Sequence, residues 1–174
     1  RGTPLDWDPT PPVITPLSAF SGASTGNLHF KQSDVVNCLI PITDQMIVFG
    51  TPTSISRLTG DPGSGGDLDT ISDGEGLAFG APYALDPQGV AYVKGAKGGI
   101  WRIAAGQLSG RITLGWVEDR IRDIDLSEYD VRMEWSLEEE GLHVFQVPKS
   151  TGERIVQHWF WGQKENEWWE DEFV

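Results

Sequence analysis

Five acidic residues lie in a glycine-rich stretch near the middle of the chain, and their carboxylates are of the type that binds hard cations such as calcium. They are Asp61, Asp67, Asp69, Asp73 and Glu75. Their spacing departs from the EF-hand loop, which needs acidic residues at its first, third and fifth positions and a terminal Glu. We therefore predict an ordinary solvated turn and no metal site, with calcium binding by this loop as the alternative.

The histidines and the single cysteine show no spacing that indicates catalysis or metal binding. His29, His143 and His158 are far apart in the sequence, and we interpret the last two as cross-strand filler. Cys38 sits in an apolar, strand-like segment, which favours a buried and inert thiol. The chain has no G-x-S-x-G elbow, no H-E-x-x-H motif and no phosphate-binding loop.

Paired carboxylates are plentiful, and the main runs are 138–140 and 170–172. Such runs are usually exposed, and a glycosidase needs its two carboxylates opposed across a cleft. The Ser-x-Asp-x-Gly-x-Thr-Trp boxes of a sialidase-type propeller are missing from the sequence. We therefore predict that the protein is not an enzyme and that it has no catalytic residue and no cofactor.

Four tryptophans near the C-terminal end are the best candidates for a contact surface. Tryptophan is favoured at interfaces because it buries a large area with few rotamers to restrict. We predict packing between structural repeats or a subunit interface for this group, with stacking against a host surface glycan as the alternative. The residues are Trp159, Trp161, Trp168 and Trp169.

The formal net charge of −13, from 26 acidic and 13 basic residues, disfavours tight binding of nucleic acid. No stretch approaches the ~20 apolar residues of a membrane-spanning helix, and the opening RGTPLDWDPTPP lacks the apolar run of a signal peptide. Because the chain begins at Arg1 and not at Met, we expect a processed or excised piece of a longer polypeptide.

The elements that would position these residues follow one repeated plan of strand, tight turn and strand. Copies of the plan occur at 47–62, 90–104 and 142–161. Short strands repeating at roughly 40 to 50 residues are typical of propeller blades, each of which buries its faces against a neighbour. The sequence therefore predicts an all-β fold of antiparallel four-stranded blades forming a partial β-propeller.

We predict two regions and one helix. Residues 1–33 are rich in Pro, Ser and Gly and indicate an extended arm. Residues 34–174 would hold three blades, at about 35–72, 77–115 and 129–174. The segment Trp116–Ile124 has the apolar spacing of one short connecting helix. Three blades do not close a ring, so the others would lie elsewhere in the polypeptide or in other chains, unless the strands form a sandwich.

Several of these segments resemble β-propeller structural proteins of tailed-phage and prophage virions, of the tail hub, nozzle or neck type. The resemblance is carried by DWDP, by LIPITDQMIVFGTPTSISRLTGDP with the Gly-rich gap that follows, by the turn in ALDPQGVAYV, and by EYDVRMEWSLEEEGLHVF and HWFWGQKENEWW. It extends from about Trp7 to Trp169. The matched positions are turn and core residues, so the resemblance implies no catalytic residue.

The resemblance implies a structural virion component in the tail or neck. Its partners would be other virion proteins and copies of itself, and its blades would line or brace the path of the DNA. An acidic surface would keep such a path non-adhesive. The alternative is a tail-tip binding module that recognises a glycan on the host surface.

Overall fold

The computed structural model describes residues 35–61, 66–80, 82–113, 115–150 and 154–173, all within one compact unit that spans 32–174. The arm predicted at 1–33 lies outside these residues. The described part contains three antiparallel four-stranded sheets and one short helix. The predicted all-β class, with antiparallel four-stranded sheets and a short helix, is confirmed.

Each sheet is a meander in which consecutive strands are hydrogen-bonded neighbours. Sheet 1 contains β1 (Cys38–Thr43), β2 (Met46–Gly50), β3 (Ile55–Thr59) and β4 (Asp67–Ser72). Sheet 2 contains β5 (Tyr83–Leu85), β6 (Ala91–Lys94), β7 (Ile100–Ala104) and β8 (Gln107–Arg111). Sheet 3 contains β9 (Tyr129–Ser136), β10 (Gly141–Pro148), β11 (Gln157–Gly162) and β12 (Glu167–Glu172).

The turn between β5 and β6 shows how the sequence dictates these meanders. The Asp86 carboxylate accepts hydrogen bonds from the backbone N–H groups of Gln88 and Val90, at 2.8 and 2.9 Å. Pro87 presets the second turn position, and Gly89 adopts the positive φ of 79° that the fourth position requires. The predicted Asp-Pro-x-Gly turn is confirmed.

Sheet 2 lies between sheets 1 and 3. Side chains alternate along each of its strands, so one face packs on sheet 1 and the other on sheet 3. Ala91 and Val93 of β6 pack towards sheet 1, in a cluster with Ile40, Val48 and Ile55. The intervening Tyr92 packs towards sheet 3. Its ring stacks on Trp135 with a centroid distance of 5.0 Å, inside a second cluster that contains Trp159 and Trp161.

The helix α1 (Trp116–Arg122) fills the space between sheets 2 and 3. Val117 and Ile121, one turn apart, are fully buried in the cluster with Trp159. An ion pair between Arg111 and Glu118 holds the helix to the end of β8. The helix ends two residues earlier than the predicted Ile124, which is nevertheless buried against the same cluster.

The fourth strand of sheet 2 lies earlier than predicted. Within the predicted blade 77–115 the sequence favours a last strand at 111–114, but β8 ends at Arg111. A tight turn with positive φ at Ala105 and Gly106 sends the chain back four residues sooner. Thr113 lies beyond the end of β8. Its hydroxyl accepts a 2.8 Å hydrogen bond from the backbone N–H of Ile100, the first residue of β7.

The three sheets stack so that strands of equal rank meet. The first strands of sheets 2 and 3, β5 and β9, contact each other, and so do the last strands of sheets 1 and 2, β4 and β8. The close approach thus lies at the first strands between sheets 2 and 3 and at the last strands between sheets 1 and 2. Within the described residues, however, the sheets form an open stack and no closed propeller.

Candidate functional site

Three of the four candidate tryptophans lie in the interior of the chain. Trp159 and Trp161 of β11 are buried on the inner face of sheet 3, the face that packs towards sheet 2. Their indole N–H groups donate to Glu170 at 3.0 Å and to Asn166 at 3.2 Å. Trp168 is half-buried, and its N–H donates to the carbonyl of Ile112 at 3.1 Å, which ties sheet 3 to the end of sheet 2.

Trp169 is different, because alternation along β12 places its side chain on the opposite face of sheet 3. It is 43% exposed and stacks on Phe160 with a centroid distance of 5.5 Å. Of the four tryptophans, Trp169 is therefore the one that could make the predicted surface contact, whether with a protein or with a glycan.

The outer face of sheet 3, which points away from sheet 2, carries an aromatic patch. In the strand register His143 lies opposite Phe160, and Phe145 lies opposite His158. The rings of Phe145 and His158 stack at 4.9 Å, and those of His143 and His158 at 5.1 Å. We call this surface the outer aromatic face; it consists of His143, Phe145, His158, Phe160 and Trp169.

The two histidines of this face belong to one chain of polar contacts. His143 Nδ1 and His158 Nε2 are 2.9 Å apart. Glu139 Oε2 lies 2.7 Å from His143 Nε2, and Asp171 Oδ2 lies 3.3 Å from His158 Nδ1. Burial lowers the pKa of His158, although Asp171 opposes the shift. Two neutral imidazoles carry two N–H groups for three contacts, so a third proton is needed to complete all three hydrogen bonds.

This chain of contacts was missed by the sequence analysis, which treated the histidines as separate filler. The register of β10 and β11 sets this pairing, because it places His143 diagonally across from His158. The ring nitrogens that contact one another and the two carboxylates are not directed at a common point. Among the described residues there is no group of three or more His, Cys, Asp or Glu side chains that could hold a metal ion.

The outer face of sheet 1 is aliphatic and partly exposed: Leu39 and Ile47 reach solvent, whereas Phe49 and Ser56 are buried. In the register a row of apolar residues crosses all four strands: Pro41, Ile47, Leu58 and Leu68. A second row begins with Leu39 and Phe49 and ends with Ser56 and Thr70. Both rows together form what we call the outer apolar face.

The outer apolar face carries no charged residue at any of these eight positions. Leu39 is 61% exposed and Ile47 is 41% exposed. Single exposed apolar side chains are ordinary on protein surfaces, whereas a continuous group on one sheet face is typical of an interaction surface.

Two of the five acidic residues, Asp67 and Asp69, lie on β4 and not in the predicted turn. Asp69 forms an ion pair with Arg57 on the neighbouring strand. The Glu75 carboxylate accepts a 3.2 Å hydrogen bond from the backbone N–H of Lys97. Residues 62–65 of the loop lie outside the described residues, and the calcium alternative stays a prediction.

The carboxylate runs have structural contacts as well. Glu139 contacts His143, and Glu170 accepts hydrogen bonds from Gln157 at 2.7 Å and from Trp159. Cys38 is buried, as predicted, and burial raises the pKa of its thiol to about 11. A thiol with this pKa is protonated at neutral pH, so it is a poor nucleophile.

Comparison with known proteins finds no matching family model and no matching curated protein. None of the helices in the described ranges is long and apolar enough to cross a membrane. The functional proposal is therefore based on the exposed residues of sheets 1 and 3.

Proposed function

We propose that this protein is a structural component of a phage virion, associated with the tail or neck, and that its work is assembly through sheet faces. It catalyses no reaction in this proposal. Its partners are other virion proteins and further copies of the same chain. The assignment to a virion comes from the resemblance to tailed-phage propeller proteins in turn and core residues.

The observation that supports the assembly role is the group of exposed apolar residues on the outer face of sheet 1. In sheet 2 both faces are covered, whereas in sheet 1 the outer face exposes Leu39 and Ile47 to solvent. Leaving such a surface in water is unfavourable by roughly 25 cal/mol for each Å² of apolar area. A chain that retains this face gains free energy when another surface covers it.

The net charge of −13 suits a component beside the DNA path. Phosphates are repelled by an acidic wall, so the DNA would pass without adhering. A wall of this kind needs acidic residues concentrated on the side that faces the channel.

The test is to purify the particles of the phage or prophage that encodes the chain and to look for the chain in them. We expect mass spectrometry to detect it in intact virions, and gold-labelled antibodies to place it at the tail or neck. Its absence from purified virions, with a control tail protein detected in the same sample, would refute the proposal.

Glycan recognition is the second candidate, and the exposed ring of Trp169 favours it. Sugars stack on exposed aromatic rings, and Phe160 supports this ring from beneath. A glycan array should then give a specific signal that is lost in Trp169→Ala and kept in Trp116→Ala, which removes another exposed tryptophan from a different site. An array without specific signal would exclude this function.

A further inference from the structure

The outer aromatic face of sheet 3 forms a platform of rings that stays in contact with solvent. None of its five side chains is fully buried, and Trp169 is 43% exposed. Two glycines at one end of the sheet, Gly141 and Gly162, lie opposite each other in the register. A Cβ on Gly141 would collide with the ring of Phe160, and one on Gly162 would lie 3.0 Å from the ring of Trp169. The sequence therefore leaves room for these two rings to lie over the sheet.

The rim of this face is mostly acidic. Side chains alternate along the edge strands β9 and β12, and the register shows which of them share the side of the rings. Those that carry a charge are Asp130, Glu134, Glu167 and Asp171, against the single cation Arg132. The carboxylate of Glu134 makes no hydrogen bond or ion pair with any described residue. An aromatic centre with this rim suits a positively charged partner.

An open groove of about 480 Å³ continues the face towards the hairpin between β9 and β10. Its lining combines two carboxylates with apolar and aromatic groups, and includes Glu134, Leu137, Glu138, His143 and Phe145. The volume falls within the roughly 300–1,000 Å³ of ligand pockets. A long side chain with a positive end matches this lining, because its stem can lie against the apolar groups and its charge can reach the carboxylates.

We infer that the outer aromatic face and its groove bind a basic segment of another virion protein, whose Arg or Lys side chains stack on the rings and pair with the carboxylates. This inference rests on the proposed assembly role and names the chemistry of the partner. A cation over an aromatic face is attracted by the ring, and arginine also pairs with carboxylates through two N–H groups. The chain contains one such stacking contact, since the Arg111 guanidinium lies 5.1 Å from the centre of the Trp101 ring.

A second copy of this chain fits the same face poorly. The chain carries a net charge of −13, so the acidic rim repels another copy. The sequence contains no pair of adjacent Lys or Arg residues, so it offers no basic segment of its own. Sugars with a carboxylate and nucleic acid phosphates are repelled for the same reason. The charge of the rim therefore selects a basic protein segment.

Isothermal titration of the full-length chain with two matched peptides tests the inference. One is a short synthetic peptide of alternating Arg and Thr, and the other has citrulline, a neutral analogue of nearly the same shape, in place of each Arg. We expect the Arg peptide to bind and its Kd to rise with added salt, which screens exposed charges. The citrulline peptide should bind about tenfold more weakly or not at all, because it lacks the charge.

Variants of the face distinguish a built site from general attraction to an acidic protein. Trp169→Ala and Glu134→Gln should each raise the Kd of the Arg peptide by about fivefold or more, and Trp169→Phe, which keeps a ring, should raise it less. Asp44→Asn removes one negative charge from an exposed turn of sheet 1 and is the matched control for Glu134→Gln. Trp116→Ala, on the helix, is the control for Trp169→Ala. Both controls should bind like the unaltered chain, and thermal unfolding verifies that every variant is folded.

Three results would overturn the inference: no binding of the Arg peptide, equal binding of both peptides, or a loss in Asp44→Asn as large as in Glu134→Gln. A glycan signal that depends on Trp169, together with an inert Arg peptide, would assign the face to a sugar and would also overturn it. Detection of the chain in virions would in each of these cases leave the proposed function standing. Binding as expected, together with absence from virions, would uphold a basic partner and refute the virion assignment.

Discussion

The inner and outer faces of the same sheets have similar residues and very different surroundings. In sheet 1, Ile55 is fully buried on the inner face, while Ile47 is exposed on the outer face. In sheet 3, Trp159 is fully buried and Trp169 is exposed. Residue type therefore does not distinguish the two faces; the presence of a neighbouring sheet does. The outer faces combine core-like residues with partial exposure, since Leu39, Ile47 and Trp169 reach solvent.

Replacing the tryptophans should show the largest contrast between the faces. Trp159→Ala removes the largest buried side chain of the aromatic cluster and leaves a cavity, so we expect a loss of about 3–5 kcal/mol in the free energy of unfolding. Trp169→Ala, on the exposed face, should cost less than about 1 kcal/mol in the isolated monomer. Urea unfolding at a concentration where the protein is monomeric measures both.

Equal losses for these two variants would mean that Trp169 is as well covered as Trp159. The comparison of the faces would then fail for sheet 3. Trp159→Phe, which keeps an aromatic ring but loses the hydrogen bond to Glu170, should fall between the two.

The same contrast in sheet 1 should be smaller, because the change removes a single methyl group. Ile55→Val should lower the free energy of unfolding by about 1 kcal/mol, since the buried site cannot fully close around the smaller side chain. Ile47→Val should have almost no effect on the monomer. If Ile47→Val were the more destabilising of the two, the outer apolar face would be covered within the monomer itself.

The histidine pair should give sheet 3 a weak dependence on pH. Burial lowers the pKa of His158 in the folded chain below its ordinary value of 6.5. The unfolded chain therefore binds the proton more readily, and stability should fall as the pH falls from 6.5 towards the lowered pKa. Above pH 6.5 this contribution should be constant.

His158→Phe removes the titrating ring and should abolish that part of the pH dependence, measured as the difference from the unaltered chain between pH 7.5 and 5.5. Asp171→Asn removes a carboxylate that opposes the shift, so it should steepen the loss. His143, Glu139 and Arg132 also face this region and remain in both variants. A pH profile unchanged by His158→Phe would show that the ring has the same pKa in both states.

Local rules were enough to predict most of the fold from the sequence. The Asp86 turn and the helical spacing of Val117 and Ile121 each depend on neighbours a few residues away. The predicted position of the fourth strand of sheet 2 is wrong because the strand begins after a turn with positive φ at Ala105. Alanine rarely adopts positive φ, so the sequence does not indicate a turn there.

The candidate site was harder to predict, because it depends on which face of a strand is covered. The sequence marked four aromatic residues as a group, but three of them pack inside the chain and one is exposed. The pairing of His143 with His158 requires the register of β10 and β11, and the ion pair of Asp69 with Arg57 requires that of β3 and β4. Both registers follow from hairpin geometry, which spacing within one segment does not reveal.

The central claim is that the exposed apolar residues of sheet 1 form a contact surface between chains. A photo-cross-linking amino acid at position 47, in a mixture of isotopically labelled and unlabelled full-length chains, tests it directly. We predict cross-links from position 47 that join a labelled chain to an unlabelled one. Cross-links confined to one chain would contradict the account.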